Sequence, residues 1–344
     1  GNLEVHFIDV GQGDATLIKC DGHSMLIDAG NNDKGTLVQN YLQHQGVETL
    51  DYVIGTHPDA DHIGGMDVVL YKFDCKTIIM PDVANNTRTY DDVVQTMKNK
   101  GYKTTYPVVG ETYTIGGAAF TIIAPNKEYG NDMNSWSVGV LLQNGNHRFL
   151  FTGDAEEGAE QDILQNGIDI SADVYKVAHH GSNTATSQAF LDAVHPTYAV
   201  ISAGEGNSYG HPHAEVLNRL RAAGVSVFRT DEQGTIVASS DGTTLTWNMS
   251  PSESWQAGEA KKSQNTEKSE KAADSQNNAE TDAAVSNPTD QTDGNSDVIV
   301  HITKTGEKYH SAGCQYLRKS DIEVTLSEAK ARGLTPCSKC NPPQ

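Results

Sequence analysis

The sequence has few basic residues, few cysteines and no long hydrophobic run. No apolar stretch approaches the roughly 20 residues that cross a bilayer, so no transmembrane helix is expected. The five cysteines are too few and too uneven for a disulfide-stabilised scaffold. Lys and Arg number 25 against 45 Asp and Glu, a net charge of −20. This acidity either only aids solubility or requires a local site, such as bound cations, for any nucleic-acid binding.

Composition divides the 344 residues into three regions. Residues 1–250 carry regular apolar runs separated by glycines, which is typical of a folded domain. Residues 251–297 are polar and almost free of apolar side chains, which predicts a flexible linker. Residues 298–344 restart with a short apolar run and hold three cysteines, which predicts a small second domain. Its seven Lys and Arg against four Asp and Glu give +3, which leaves −23 for the rest.

Strand and helix patterns follow one another through the first region. This mixture predicts two sheets covered on their outer faces by helices. The expected strands are at 3–10, 15–19, 24–28, 51–55, 77–80, 119–124, 138–142, 148–152, 174–177, 199–202, 226–228 and 235–238. The expected helices are at 37–45, 91–100, 155–165, 187–193 and 213–223.

Four ligand-type side chains fall within six residues of the run 56–65, on a loop between a strand and a helix. Asp and His also cap helices and close turns, but such density is unusual for that purpose alone. Imidazole and carboxylate groups suit zinc, manganese and similar divalent ions. The turn that follows predicts one pair of ligands for each of two ions: His57 with Asp59, and Asp61 with His62.

Two later strands end in further residues of the same kind. The buried strand at 148–152 leads into Gly153-Asp154, and a single carboxylate can bridge two ions roughly 3.5–4 Å apart. The strand at 174–177 leads to His179 and His180, of which strand alternation turns only one toward the metals. Alone, a Gly-Asp pair after a strand is usually just a turn, so the prediction depends on all these segments together.

Several motifs occur in a fixed order along the chain. They are Asp9-Val-Gly-Gln-Gly-Asp14, Leu26-Ile-Asp-Ala-Gly30, the run 56–65, Thr152-Gly-Asp154, His179-His-Gly-Ser182 and Asn207-Ser-Tyr-Gly-His-Pro212. With these motifs, residues 3–248 resemble the metallo-β-lactamase superfamily, in particular the soluble domain of ComEC-type competence proteins. The resemblance implies an α/β fold, an αββα four-layer sandwich, and a dinuclear metal centre that performs hydrolysis.

The resemblance also implies a role for each matching residue. The metal ligands would be His57, Asp59, Asp61, His62, Asp154 as the bridging group, and His180 rather than His179. Asp59 stands where the wider superfamily usually has His. Many members have a further His before the bridging Asp, but the region 131–137 has none, so one metal position is expected to be weaker or open.

Other residues are expected to support the ligands or contact the substrate. Asp28 would hold the ligand loop from behind, and Asp14 would do the same unless it and Gln12 only fix the first turn. A water between two divalent cations loses its proton near neutral pH and attacks phosphorus or a carbonyl. The candidates for catalysis are Asp61, Asp154 and His179. The candidates for substrate binding, each of which could equally be a loop hydrogen-bonder, are Ser182, Asn207 and His211.

The third region contains two short ligand patterns, H-x₃-C and C-x₂-C. His310, Cys314, Cys337 and Cys340 form a good tetrahedral zinc set, and a domain this small needs such a staple. The alternative is a disulfide between Cys337 and Cys340. Residues 308–342 resemble the metal-binding module of the Ada DNA-repair protein, with His310 in place of its methyl-accepting Cys. A structural zinc is therefore implied, and alkyl transfer is not.

Three functions are compatible with these residues. The leading one is a ComEC-like phosphodiesterase or nuclease that acts on DNA, single-stranded or already cut. A second is a hydrolase of another ester, such as choline-phosphate or teichoic acid, of a lactam or of a thioester. The third is a cell-surface binding protein with a vestigial metal site, although all six ligands are retained.

A few further features bear on the partner and the location. The basic third region could bring nucleic acid or an anionic cell-wall polymer to the catalytic domain. Aromatic side chains near the expected rim, Trp136, Tyr129 and Tyr209, would favour nucleic acid if they lined a groove. The polar linker and the start at Gly1 without a Met favour an exported or surface-attached bacterial protein.

Overall fold

The computed structural model describes residues 1–259, 299–303, 308–312, 314–317, 321–331, 334–337, 339–340 and 342. The chain divides into two compact units, Gly1–Ser263 and Gln264–Gln344. Most of the predicted linker 251–297 lies outside the described residues, as do Lys304, Arg318 and Lys319 of the basic third region. Among the described helices, none is both long and apolar enough to cross a bilayer.

The described part of the first unit consists of strands and helices that follow one another along the chain. The strands are β1 Leu3–Phe7, β2 Thr16–Cys20, β3 His23–Ile27, β4 Thr49–Ile54, β5 Asp74–Ile79, β6 Thr104–Thr105, β7 Thr112–Ile115, β8 Ala118–Ala124, β9 Gly139–Asn144, β10 His147–Phe151, β11 Val174–Lys176, β12 Tyr198–Ile201, β13 Ser226–Arg229, β14 Ile236–Ser240 and β15 Leu245–Trp247. The helices are α1 Gly35–His44, α2 Ala60–Ile63, α3 Met66–Lys72, α4 Arg88–Lys100, α5 Glu157–Gln165, α6 Gln188–Val194, α7 Ala214–Ala222 and α8 Thr230–Gln233.

These strands form two mixed sheets. In the described part of the unit, the first sheet has eight strands in the order β15-β14-β1-β2-β3-β4-β5-β6, and the second has seven in the order β13-β12-β11-β10-β9-β8-β7. Strands β3 to β6 are parallel neighbours, and so are β10 to β13. The hairpin between β2 and β3 turns on Asp21 and Gly22, both with positive φ, which is why an Asp-Gly pair suits it.

Three apolar cores hold the layers together. Side chains such as Phe7, Phe120 and Phe151 pack between the two sheets. The outer face of the first sheet packs against α1, α3 and α4, and that of the second against α5, α6 and α7. The predicted αββα four-layer sandwich is thereby confirmed. Burial of apolar surface at roughly 25 cal/mol per Å² makes these cores the main source of stability.

Several strands end at the same edge of the sandwich. Asp28 follows β3, the ligand loop follows β4, Asp154 follows β10 and the two histidines follow β11. Because the carboxyl ends of parallel strands meet at one edge, such an edge is where α/β proteins place their functional groups. The strand ends therefore bring together residues that are far apart in the sequence.

The first domain extends beyond its predicted end at residue 250. The ring of Trp255 packs on the apolar core under the second sheet, with the Arg221 guanidinium 5.6 Å from its centroid. The Ser252 amide donates to the Val227 carbonyl at 2.7 Å. This segment is polar enough to resemble a linker in composition, but one tryptophan and a few backbone hydrogen bonds fix residues 251–258 to the domain.

The described part of the second unit is a small sheet with one helix. Its elements are β16 Ile299–Ile302, β17 Lys308–His310, β18 Ile322–Thr325, α9 Leu326–Ala331 and β19 Thr335–Pro336. The strands lie in the order β18-β16-β17-β19. The core is as small as the sequence predicts: among the described residues, its main apolar cluster consists of Val300, Ile302, Tyr309, Val324, Leu326 and Ala329, and Leu317 packs with the cysteines.

Candidate metal centre

The ligand loop after β4 is held from behind by Asp28. Its Oδ1 accepts from the Thr56 amide at 2.8 Å, and its Oδ2 accepts from the Thr56 hydroxyl at 2.7 Å. The same Oδ2 lies 2.7 Å from Nδ1 of His62. Asp28 adopts a positive φ of 59°, which an Asp tolerates better than most residues. One carboxylate thus fixes both the loop backbone and a ligand ring.

Each imidazole of the cluster is anchored through Nδ1. His57 Nδ1 lies 3.1 Å from the Thr56 hydroxyl and 3.2 Å from the Ser137 hydroxyl. His180 Nδ1 lies 3.0 Å from the Ser202 carbonyl oxygen. Partners of this kind fix the ring and leave Nε2 as the ligand atom. The three Nε2 atoms of His57, His62 and His180 therefore face the same point.

Asp154 lies at the centre of these rings. Its Oδ2 is 3.1 Å from Nε2 of His62, 3.6 Å from that of His180 and 3.8 Å from that of His57. Asp61 completes the cluster, with Oδ2 3.0 Å from His180 Nε2 and 3.6 Å from His62 Nε2. The ligand atoms of Asp61, His62, Asp154 and His180 all lie within 4.8 Å of one another, which suits one small cation.

His57 and Asp59 lie beside this cluster and are more loosely arranged. His57 Nε2 is 3.5 Å from Asp59 Oδ2, and the Asp59 side chain is partly exposed. The region where the wider superfamily has a further His provides Ser137, whose hydroxyl contacts His57 and accepts from the Asp154 amide at 3.0 Å. Ser137 therefore orients ligands and is not placed to be one.

The donor set fits a divalent metal. Within residues 1–259, His57 Nε2, His62 Nε2 and Asp154 Oδ1 are buried and make no hydrogen bond of good geometry, although His62 Nε2 lies 3.1 Å from Asp154 Oδ2. Such an arrangement is costly unless something else satisfies these atoms. Buried imidazole nitrogens and carboxylate oxygens that converge in this way form a donor set suited to a divalent metal ion.

The charges in the cluster favour ionised carboxylates. Burial raises the pKa of Asp154, but His62 and His180 outweigh it and hold that pKa well below its ordinary value. Burial likewise acts to raise the pKa of Asp61, and the neighbouring His62 and His180 lower it. Both carboxylates are thereby kept in the form that binds cations.

Both histidines after β11 lie near Asp154, and of the two it is His180 that belongs to the candidate metal cluster found among the described residues. His179 Nε2 lies 3.7 Å from Asp154 Oδ2, close to the 3.6 Å of His180. Strand alternation does not apply, because β11 ends at Lys176 and both histidines adopt left-handed backbone conformations, with φ of 51° and 55°. Glu156 holds His179 from the other side, with Oε1 3.2 Å from its Nδ1.

Asp14 does more than fix the first turn. Both of its oxygens accept from the buried Lys176 ammonium, at 3.0 and 2.9 Å, and its Oδ1 lies 3.3 Å from His180 Nδ1. Gln12 also reaches the site: its Oε1 accepts from the Gly204 amide at 2.9 Å, and its Nε2 lies 3.2 Å from Nδ1 of His211.

The three predicted substrate-binding residues lie in the loops beside the cluster. The Ser182 hydroxyl is buried and lies 2.9 Å from that of Thr184. The Asn207 amide is used within its own loop, where it donates to the Gly204 and His211 carbonyls and accepts from the Tyr209 and His211 amides. The His211 ring lies 6.0 Å from His180 and 5.7 Å from His179, centroid to centroid. The His211 ring thus lies beside two histidines that are next to Asp154.

Sequence reasoning missed several supporting residues: Thr56, Ser137, Glu156 and Lys176. Lys176 gave a usable signal, because it is a charge inside an otherwise apolar strand next to two histidines. The others gave none, since serine, threonine and glutamate are common in loops and their partners are distant in the sequence.

The second unit contains its own cluster. His310, Cys314, Cys337 and Cys340 place their ligand atoms within 4.8 Å of one another. Cys340 Sγ is 3.8 Å from His310 Nδ1. All five cysteines of the chain are free thiols, so the alternative disulfide between Cys337 and Cys340 is not formed.

Comparison with known proteins identifies the family. The family model described as the metallo-beta-lactamase superfamily matches residues 8–205, which is more than half of the chain. The chain belongs to the metallo-beta-lactamase superfamily. Its curated relatives include ComEC-like competence proteins. ComE operon protein 3 of Bacillus subtilis is 31% identical over 255 residues, covering 68% of this chain and 32% of that protein.

The chain is also similar to a second curated relative and to a solved structure. Recombination protein 2 of Haemophilus influenzae is 33% identical over 238 residues, covering 68% of this chain and 28% of that protein. Among solved structures, the metallo-beta-lactamase fold protein YhfI of Bacillus subtilis has a TM-score of 0.47 and 13% identity, covering 70% of this chain and 100% of that one. The chain spans less than a third of the length of these two curated relatives.

Proposed function

We propose that this superfamily hydrolase is a dinuclear phosphodiesterase that cleaves DNA. The observation that carries the proposal is the convergence of four Nε2 atoms, those of His57, His62, His179 and His180, within 3.8 Å of Asp154 Oδ2. One carboxylate oxygen at such a point is suited to lie between two cations. The choice of DNA is supported by the ComEC-like competence proteins among the relatives of the chain and by the relative named Recombination protein 2.

The residues divide into two sets of ligands. Asp61, His62, Asp154 and His180 would hold one ion, and His57, Asp59 and Asp154 the other. When bound, two divalent ions supply an activated water and neutralise charge that develops on phosphorus. The chain itself fixes the rings through Nδ1 and keeps Asp154 and Asp61 ionised. His179, held by Glu156, is positioned to contact the substrate.

The second unit is proposed to hold a structural zinc on His310, Cys314, Cys337 and Cys340. Three thiols and one imidazole are a common closed zinc set. The small core of this unit supports the proposal, because domains of this size rarely fold without a bound metal or another cross-link. From the sequence we further propose that this unit binds nucleic acid or a cell-wall polymer. We also propose that the protein is located on the bacterial surface.

The test measures metal content and hydrolysis in wild type and in Asp154→Ala. Wild type should hold about three metals per chain and should cleave bis(p-nitrophenyl) phosphate and single-stranded DNA with added Mn²⁺ or Zn²⁺. Asp154→Ala should keep the C-terminal zinc and lose the other metals and the activity. A matched control is Asp192→Ala, an exposed carboxylate on α6. If wild type binds only the C-terminal zinc and cleaves neither substrate, the protein is a binding protein and the proposal fails.

A further inference from the structure

One aromatic side chain is exposed beside the metal centre. Tyr209 is 65% exposed, on the loop between β12 and α7. The other two aromatic residues considered for the rim are differently placed: Trp136 is buried, with its indole donating to the Gly130 carbonyl, and the Tyr129 hydroxyl donates to Asp162. Of the three, Tyr209 is the most exposed, since Tyr129 is half-buried and Trp136 is buried.

Tyr209 is the outer member of a series of rings that starts at the metal cluster. Its ring stacks on His211 at 5.4 Å with an interplanar angle of 14°. The His211 ring in turn lies 6.0 Å from that of His180, at 27°. Tyr209 is therefore one ring beyond a residue that contacts the cluster, which is a suitable place for a group next to the bond that is cleaved.

The loop holds Tyr209 in place without help from a ligand. Asn207 accepts from the Tyr209 and His211 amides at 3.1 and 3.0 Å, and His213 Nε2 lies 3.1 Å from the Tyr209 carbonyl oxygen. Gln12 holds the His211 ring at Nδ1. A ring that is already oriented loses little conformational entropy when a partner stacks on it.

The charge of the chain makes such a platform useful. At −20 overall, the protein has little general attraction for a polyanion, so affinity must come from the bound cations and from contacts that do not depend on charge. Stacking of a base on an aromatic ring is such a contact, and it tolerates any sequence. We propose that Tyr209 is a stacking platform for one base of a single-stranded nucleic-acid substrate, an inference that rests on the proposed function.

The test is the affinity for two fluorescein-labelled oligonucleotides, a short oligothymidine and its abasic counterpart, with Ca²⁺ present to slow cleavage. Wild type should bind the oligothymidine more tightly than the abasic strand. Tyr209→Ala should weaken oligothymidine binding about tenfold and leave abasic binding unchanged, whereas Tyr209→Trp should retain the preference. Tyr71→Ala is the matched control, because Tyr71 is equally exposed at 64% and lies on α3.

Two outcomes would overturn the inference. Wild type that binds both strands equally has no base platform, and a Tyr209→Ala variant that weakens both strands alike has lost something other than stacking. Cleavage is measured separately. If no phosphodiester is cut with Mn²⁺ or Zn²⁺, the proposed activity fails, while a base preference that depends on Tyr209 would still support the platform.

Discussion

At the scale of single residues, the cluster depends on side chains that are not themselves ligands. Asp28, Ser137 and the Ser202 carbonyl each hold one ring nitrogen. Because the opposite nitrogen can then only point inward, these contacts determine the direction of the ligand atoms. The ligand types could be predicted from the sequence, since their density is unusual. Most of their supports could not, because each is a common residue whose partner is distant in the chain.

Asp28→Asn tests the support behind His62. The variant keeps the positive φ that Asn also tolerates but cannot accept from both Thr56 and His62 as a carboxylate does. Metal affinity should fall about 10–100-fold, as measured by competition with a chelator. The control is Asp33→Asn, an exposed residue close by in the sequence. Unchanged affinity in Asp28→Asn would show that Thr56 alone holds the loop.

Lys176→Met tests the buried ion pair. Lys176 and Asp14 are 3% and 5% exposed, and removing one partner leaves a charge buried without its counterpart. The free energy of unfolding should fall by about 3–5 kcal/mol, measured by urea denaturation. The double variant Asp14→Asn with Lys176→Met should recover much of that loss. A single variant within about 1 kcal/mol of wild type would mean that His180 compensates for the lysine.

At the scale of elements, the turn after β11 departs from the rule used to predict it. Alternation along a strand turns successive side chains to opposite faces, but here the strand stops at Lys176 and two left-handed residues follow. Sequence patterns predicted the strand well. They could not predict the turn, because its conformation depends on Gly181 and on the loop that packs against it.

Gly181→Ala tests that packing. Gly181 has φ +84°, and a methyl group there would lie 2.5 Å from Cβ of Pro212. The matched control is Gly167→Ala, which has φ +81° and open space around it. The free energy of unfolding of the control should fall by about 1 kcal/mol, because alanine is strained at a positive φ. Gly181→Ala should lose a further 1–3 kcal/mol and bind metal less tightly, since His180 shifts. Equal losses of stability in urea would contradict this.

At the scale of the whole molecule, the two units are expected to use their metals independently. Cys337→Ser should lower the zinc content by about one per chain and leave the hydrolysis of bis(p-nitrophenyl) phosphate unchanged. Cys75→Ser is the control, because that thiol is buried in the first unit and lies in none of the candidate metal clusters found among the described residues. Loss of hydrolysis in Cys337→Ser would show that the second unit contributes to the catalytic site.

The overall charge leads to a prediction about salt. Affinity for single-stranded DNA falls with salt in proportion to the number of phosphates that Lys and Arg neutralise. With 45 acidic against 25 basic residues, few such contacts are available, so the slope should correspond to fewer than about three phosphates. Fluorescence anisotropy at several NaCl concentrations and constant Ca²⁺ measures it. A slope that corresponds to about six or more neutralised phosphates would mean that a basic surface, such as the +3 region 298–344, binds the strand. Stacking on Tyr209 would then contribute only a minor part of the affinity.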